Sequence, residues 1–379
     1  MSDNVAPSRT ALRDIVNRQI KRRHAAETRF RWFGITMVAT AIAACGLLLL
    51  SVIGQSIPAL TENRLHMTLQ VNASKADPMG NRNPAEIREQ GNFYGLVQDA
   101  LIQRFPTAEA DGKLDDLFDV VTSLAAVPIG RTLAQDPSLI GKNLDVSLPI
   151  NDDLDLFLKG AYGKTRVSQG EEPLIETRAA DGTYTLSGGR EPFAKPVANL
   201  REDLAVAATE LETALGLKRQ RLNIAQTQVA ALNTRVAELK ASGGPGLAAA
   251  ESLADQAQTL VDTLTGETEV DAATIAAYRA AVKGEGGAIV LNDDKPSILV
   301  EVRGATYKLT RIAPTAAQGV LLARSSKGAT DYVWRTVQIA TPQNGRAVND
   351  EVIAFGRQLQ SEGAIRPAFN TTMFTNSDS

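Results

Sequence analysis

Three carboxylates, Asp152, Asp153 and Asp155, crowd the start of a short apolar run. Such a group could hold a hard cation or divide acid–base work between its members. A calcium loop also needs a central glycine and a distal glutamate, and neither is present. Helix capping accounts for the cluster more simply, with Asp152 or Asp153 as the cap and Gly160 as the end. His24 and His66 lie on opposite sides of a long uncharged stretch, so they cannot share a metal. Cys45, the single cysteine, falls inside that stretch, which removes disulfide and thiol chemistry from the rest of the chain. Gly284-Glu285-Gly286-Gly287 reads as turn material before a strand rather than as a phosphate cradle. The G-x-x-x-x-G-K and G-x-S-x-G patterns are absent. No catalytic, cofactor-binding or metal-ligating residue is assigned. The pattern argues for an anchor, adaptor or transport component and against an enzyme.

The elements around these residues are easier to read than any chemistry. Trp32 to Leu60 contains no charged side chain, longer than the roughly 20 residues that cross a bilayer as a helix. A cleaved signal peptide would have a shorter apolar core and a small-x-small site after it. Residues 1–31 carry Arg9, Arg13, Arg18, Lys21, Arg22, Arg23, Arg29 and Arg31 against Asp3, Asp14 and Glu27, whereas the whole chain is at −3. Basic residues hold their end of a first span in the cytoplasm. The expected arrangement is a cytoplasmic basic tail (1–31), a transmembrane helix (32–57) leaving the membrane near Pro58, and the remainder outside a bacterial inner membrane, in the periplasm. The basic cluster also suits anionic lipid of the bilayer; without interleaved aromatics it does not suit nucleic acid.

Beyond the span the periodicity predicts an α+β fold. Residues 58–162 hold a strand at Met67 to Val71, a loop from Lys75 to Pro84, helices over Tyr94 to Phe105 and Leu114 to Ala126, and a strand at Asp145 to Pro149. Pro128-Ile129-Gly130 is expected to stop the second helix. Residues 163–284 are read as a helical hairpin insertion, opening with a strand near Thr183 to Leu186. Leu204, Leu211, Leu215, Leu222, Val229, Leu232, Val236 and Leu239 then step by four and three, Ala208 and Ala225 fill two gaps, and Lys218 interrupts. Ser242 to Gly246 turns the chain. Leu253, Ala257, Leu260, Val261 and Leu264 form the facing stripe, and a short helix spans Ala272 to Val282. Residues 285–345 hold a small antiparallel sheet with strands at 288–291, 298–302, 306–310, 320–323 and 332–337. Residues 346–379 hold a helix from Asn349 to Glu362, capped by Gly363, and a linker. The first hairpin helix is longer than the second, which leaves apolar surface uncovered and suggests a partner-docking arm.

Several segments together resemble the PstA family, the permease subunits of phosphate ABC transporters. They are Lys21 to Arg31 leading into the span, the exit Ser51 to Leu60, the strand Met67 to Val71 with its Asp77-Pro78 loop, and Leu148-Pro149-Ile150 through Gly160. Leu359 to Arg366, Phe369-Asn370 and Phe374 to Ser379 look like the approach to that family's membrane core. The resemblance implies the N-terminal and periplasmic part of a permease that imports inorganic phosphate. It also implies a second permease subunit, ATPase subunits and a periplasmic phosphate-binding protein as partners. Two departures stand beside it. Residues 161–344 look like an insertion, and the chain reaches Ser379 where the core membrane helices would begin, as a truncated record would. A periplasmic adaptor of an efflux or secretion complex, or a sensor or receptor ectodomain on one anchor, are the alternatives.

Overall fold

An uncharged helix has no polar face to offer water, so its side chains need an apolar environment on all sides. The computed structural model places the uncharged stretch in the second half of its first helix, α1 (Arg9–Ser56). The structure describes residues 9–56 (backbone alone at 9–28 and 53–56), 60–161, 165–170, 172–328 and 333–370. The first tail residues, the exit at Pro58, Tyr332 and the segment Phe374 to Ser379 lie outside the described residues. Within α1, Arg29–Val52 is long and apolar enough to cross a membrane. Its 24 residues make about 36 Å of helix, against a hydrocarbon core of about 30 Å. Leu47 and Leu48 are each 68% exposed. The Thr36 and Thr40 hydroxyls donate to the carbonyls of Trp32 and Thr36 at 2.7 and 2.9 Å, so these polar groups are satisfied inside the helix.

Asn63–Pro367 forms a separate compact unit, described here by itself. Its first part is β1 (Thr61–Gln70), α2 (Ala73–Ala76), α3 (Pro84–Gln90), α4 (Phe93–Arg104), α5 (Leu114–Phe118), α6 (Val127–Gln135), β2 (Asn143–Pro149) and α7 (Asp152–Leu158). Three strands follow, β3 (Thr165–Gly170), β4 (Ile175–Arg178) and β5 (Tyr184–Ser187), and then the long pair α8 (Ala194–Ser242) and α9 (Leu247–Lys283). The chain ends in β6 (Ile289–Val290), β7 (Ser297–Val302), β8 (Ala305–Ile312), β9 (Ala316–Arg324), β10 (Trp334–Ile339), α10 (Asp350–Ser361) and β11 (Ile365–Phe369).

Asparagine begins five of these helices. Asn72, Asn83, Asn92, Asn151 and Asn349 each accept a bond from a first-turn amide, which satisfies a donor the helix itself leaves open. Asn151, not Asp152 or Asp153, therefore caps α7. The expected helix from Leu114 to Ala126 is broken. Helix α5 stops at Phe118, a 3₁₀ turn covers Ser123–Ala126, and α6 starts at Val127. Pro128 sits in the first turn of α6, where a missing N–H costs nothing, so it starts a helix where a stop was expected. The short helix expected at Ala272 to Val282 is the last part of α9.

Two sheets organise the unit. A three-stranded sheet runs β11-β1-β2, with β1 and β2 antiparallel from Arg64↔Pro149 to Gln70↔Asn143. The second has eight strands in the order β3-β10-β7-β8-β9-β5-β4, with β6 pairing β8, and every recorded pairing is antiparallel. It is larger than the small sheet expected at 285–345, because β3, β4 and β5, grouped with the hairpin in the sequence reading, join it. Arg303 and Gly304 both have positive φ (48° and 75°) at the β7–β8 turn, as a tight two-residue hairpin requires.

Strand β7 is buried on both faces. Leu299 packs into a core with α4, α10 and the three-stranded sheet, while Ile298, Val300 and Val302 pack against Phe193, Val197, Leu200 and Leu204 at the start of α8. Side chains alternate along a strand, so one central strand serves two cores. The eight-stranded sheet is thus the middle of three layers, and the root of α8 lies flat on one of its faces.

Candidate functional site

The acidic cluster is structural. Asp155 accepts from the backbone and side-chain nitrogens of Asn63 at 2.8 and 2.9 Å and pairs with Lys159 at 2.5 Å. It ties α7 to β1. Among the described residues, no group of three or more His, Cys, Asp or Glu is placed to hold a metal ion. Gly284, Gly286 and Gly287 all have positive φ in the turn that leaves α9. Cys45 is exposed on α1.

The hairpin has a more distinctive surface. Helix α8 has 49 residues, about 74 Å at 1.5 Å per residue. Gly243 and Gly246 adopt left-handed φ (62° and 97°) at the tip, which lets α9 return alongside. Ion pairs fix the antiparallel register: Glu212 with Arg279 at 2.6 Å, Lys218 with Glu267 and Asp271 at 3.3 and 2.8 Å, and Lys240 with Glu251 at 2.9 Å. The bond from Arg279 holds the Glu212 carboxyl below its ordinary pKa, and the bonds to Asp271 and Glu267 hold the Lys218 ammonium above its own.

Beyond the sheet the seam between the helices holds Ala225, Val229 and Val261 with Leu222, Ala257 and Leu264 against them, and Leu215, Ala250, Ala254 and Ile275 are also buried along the arm. Leu253 and Leu260, expected in that seam, point outward at 53% and 49% exposure. Ala254 and Val261, each next in sequence to one of these leucines, are buried instead.

A groove of about 770 Å³ opens where the hairpin meets the sheet. Val206, Leu211, Tyr278, Pro296 and Pro342 give it an apolar floor. Glu202, Asp203, Glu210 and Asp294 stand around it with Arg166. Arg166 is engaged by Asp203 and Glu202 at 2.5 and 3.5 Å. Glu210 has no ion-pair partner among the described residues. The Tyr278 hydroxyl donates to the Asp294 carbonyl at 3.2 Å, and burial with the nearby Asp294 charge raises its pKa.

Heptad steps carry the helix faces that line the groove outward along the arm. On α8, Asp203 and Glu210 line it, and steps of seven reach Leu217 and Ile224. On α9, Thr274 lines it, and steps of seven lead back through Glu267 to Leu260 and Leu253. Residues seven apart share a helix face. Leu217 and Ile224 are 58% and 53% exposed. The same side of the hairpin thus carries an acidic-rimmed groove at its root and four half-exposed aliphatic residues further out. Sequence periodicity could flag the arm but not the groove, because Arg166, Pro296 and Pro342 reach it from distant strands and loops.

A family profile described as "Domain of unknown function (DUF3333)" matches residues 17–167. This stretch runs from within α1 to the middle of β3 and ends before the hairpin. No curated protein matches the chain. No solved structure matches it either.

Proposed function

We propose that the chain is a membrane-anchored component of an ABC importer for inorganic phosphate, forming the N-terminal and periplasmic part of the permease subunit. In this reading α1 anchors the chain with its N-terminus in the cytoplasm. The hairpin docks the soluble phosphate-binding protein, and the permease partner and ATPases assemble on membrane helices of the whole subunit. The observation that carries the docking role is the half-exposed set Leu217, Ile224, Leu260 and Leu253, which lies in heptad phase with residues that line the root groove. Fully covering each aliphatic side chain is worth about 1.5–3 kcal/mol, which a two-helix arm leaves unclaimed.

The test shortens the arm without touching the sheet. Residues 220–265 in the complete permease subunit are replaced by a short Gly-Ser turn, which keeps the Lys218–Glu267 pair, and labelled phosphate uptake is measured. Reduced uptake with weaker affinity for the binding protein is expected. Unchanged uptake and affinity would overturn the docking role, and normal phosphate uptake in cells lacking the chain would overturn the importer assignment.

A further inference from the structure

A second cleft lies in the part of the unit that contains no hairpin residue. It has a volume of about 640 Å³, and His66 of β1, Arg104 at the end of α4, Lys327 after β9, and Glu362 and Arg366 at the α10–β11 junction line it. Three of these five are basic, and His66 adds an imidazole. The single carboxylate is already taken. Glu362 receives both Nε (2.6 Å) and Nη2 of Arg104, and its other oxygen accepts from Gln358 at 3.2 Å. The Arg366 Nε donates to the Gly363 carbonyl at 2.7 Å, which fixes the guanidinium plane at the edge of the cleft. Its two terminal nitrogens, the Lys327 ammonium and the His66 ring have no carboxylate partner among the described residues. An adjoining depression of about 280 Å³ shares Glu362 and adds Arg303, Arg335 and Glu301, the last of these paired with Arg357 at 2.5 Å. The chain as a whole is at −3, so this positive region runs against the composition.

We propose that this cleft binds a phosphate group. A fixed guanidinium fork, a mobile ammonium and an imidazole around one open volume suit a tetrahedral oxyanion with several acceptor oxygens, and charge-assisted bonds of this kind are the stronger ones. The same chemistry has two sources, free inorganic phosphate or a lipid headgroup. The second is open because the same chain carries a helix long and apolar enough to cross a membrane. The proposal goes beyond the docking role and does not depend on it, since no cleft residue belongs to α8 or α9.

The experiment uses the full chain in nanodiscs of neutral phosphatidylcholine. Inorganic phosphate is titrated calorimetrically in one arm and dioctanoyl phosphatidic acid in the other. Saturable binding of at least one is expected, weakened by rising ionic strength. In K327A/R366A the affinity should fall about tenfold or more, as expected for the loss of charge-assisted bonds. Both residues are exposed, so circular dichroism and Tm should not move. K327Q alone serves as a milder variant with the same direction. Binding of inorganic phosphate identifies the free ion as sufficient; binding of phosphatidic acid alone identifies a headgroup. Binding of neither titrant, or equal affinity in the double variant, would overturn the proposal.

Discussion

The Arg346 guanidinium and the Asp350 carboxylate meet at 2.7 Å with neither side chain reaching solvent. Asp350 also accepts from the Ser297 hydroxyl at 2.8 Å and pairs with Lys308 at 3.0 Å, while Lys308 reaches Asp293 at 2.6 Å. The carboxylate sits in the first turn of α10, where the helix dipole favours negative charge. One anion thus joins β7, β8 and α10. Removing it strands the buried Arg346 guanidinium, while Lys308 keeps Asp293, and a buried pair that loses one partner costs about 3–5 kcal/mol. Asp350→Ala is expected to lower the unfolding free energy measured in urea by an amount in that range, and Asp350→Asn by less, because the amide still accepts a bond.

Gly170 ends β3 directly opposite Trp334 of β10. A Cβ on Gly170 would lie 1.9 Å from the indole ring, which is 97% buried by neighbours including Phe193 and is tied by Nε1 to the Glu172 carbonyl at 2.7 Å. The ring has nowhere to go. Gly170→Ala is expected to destabilise by about 1–3 kcal/mol, the usual cost of overpacking. Its tryptophan emission should shift to the red, since Trp334 is displaced while Trp32 on α1 is untouched.

These two sites also mark how far the sequence could be read. The hairpin was legible because Leu204 to Leu239 repeat at helical spacing over many turns, and that signal is local. The β7–β8 hairpin was legible from Arg303-Gly304 between two apolar runs. Strand β3 was not, because Thr165 to Gly170 is polar and becomes a strand only by pairing with β10 across a long stretch of sequence. Pro128 misled for a local reason: a proline fits either after a helix or in its first turn, and the residues around it favour neither. The outward turn of Leu253 and Leu260 depended on which residues the facing helix left room for. The basic cleft was invisible, since His66, Arg104, Lys327 and Arg366 come from four separate places and no spacing links them.

Glu351 follows Asp350 in the first turn of α10, and its pKa is raised, chiefly by burial and further by the charges of Asp116 and Asp350, against partial relief from a backbone bond and Lys308. A carboxyl whose folded pKa lies above its unfolded value opposes folding once ionised. Stability therefore increases as pH falls through that folded value. Glu351→Gln is expected to raise Tm at neutral pH, and the gain should vanish below the unfolded carboxylate pKa of about 4.3. Thermal unfolding of both proteins across this range checks it; a gain that persists at low pH would mean that packing, not charge, explains it.

The outward face of the hairpin gives the sharpest separation between fold and function. Leu217 and Leu260 are about half exposed and contribute little to the seam, so substitutions there should stay within about 0.5 kcal/mol of the parent stability. Leu217→Gln with Leu260→Gln is therefore expected to leave helix content and Tm unchanged. If the face docks a partner, the same pair removes two apolar contacts, each worth about 1.5–3 kcal/mol when fully buried. Both are already about half covered, so about half of that is at stake, and affinity for that partner should fall about tenfold to a hundredfold. Val229→Gln in the distal seam, where Val229 packs with Ala225 and Val261, is the necessary contrast. It should loosen the arm and lower its helix content, so a binding loss there would not report the face. Intact helix content with lost binding in the first variant, and lost helix content in the second, is the pattern a docking surface demands.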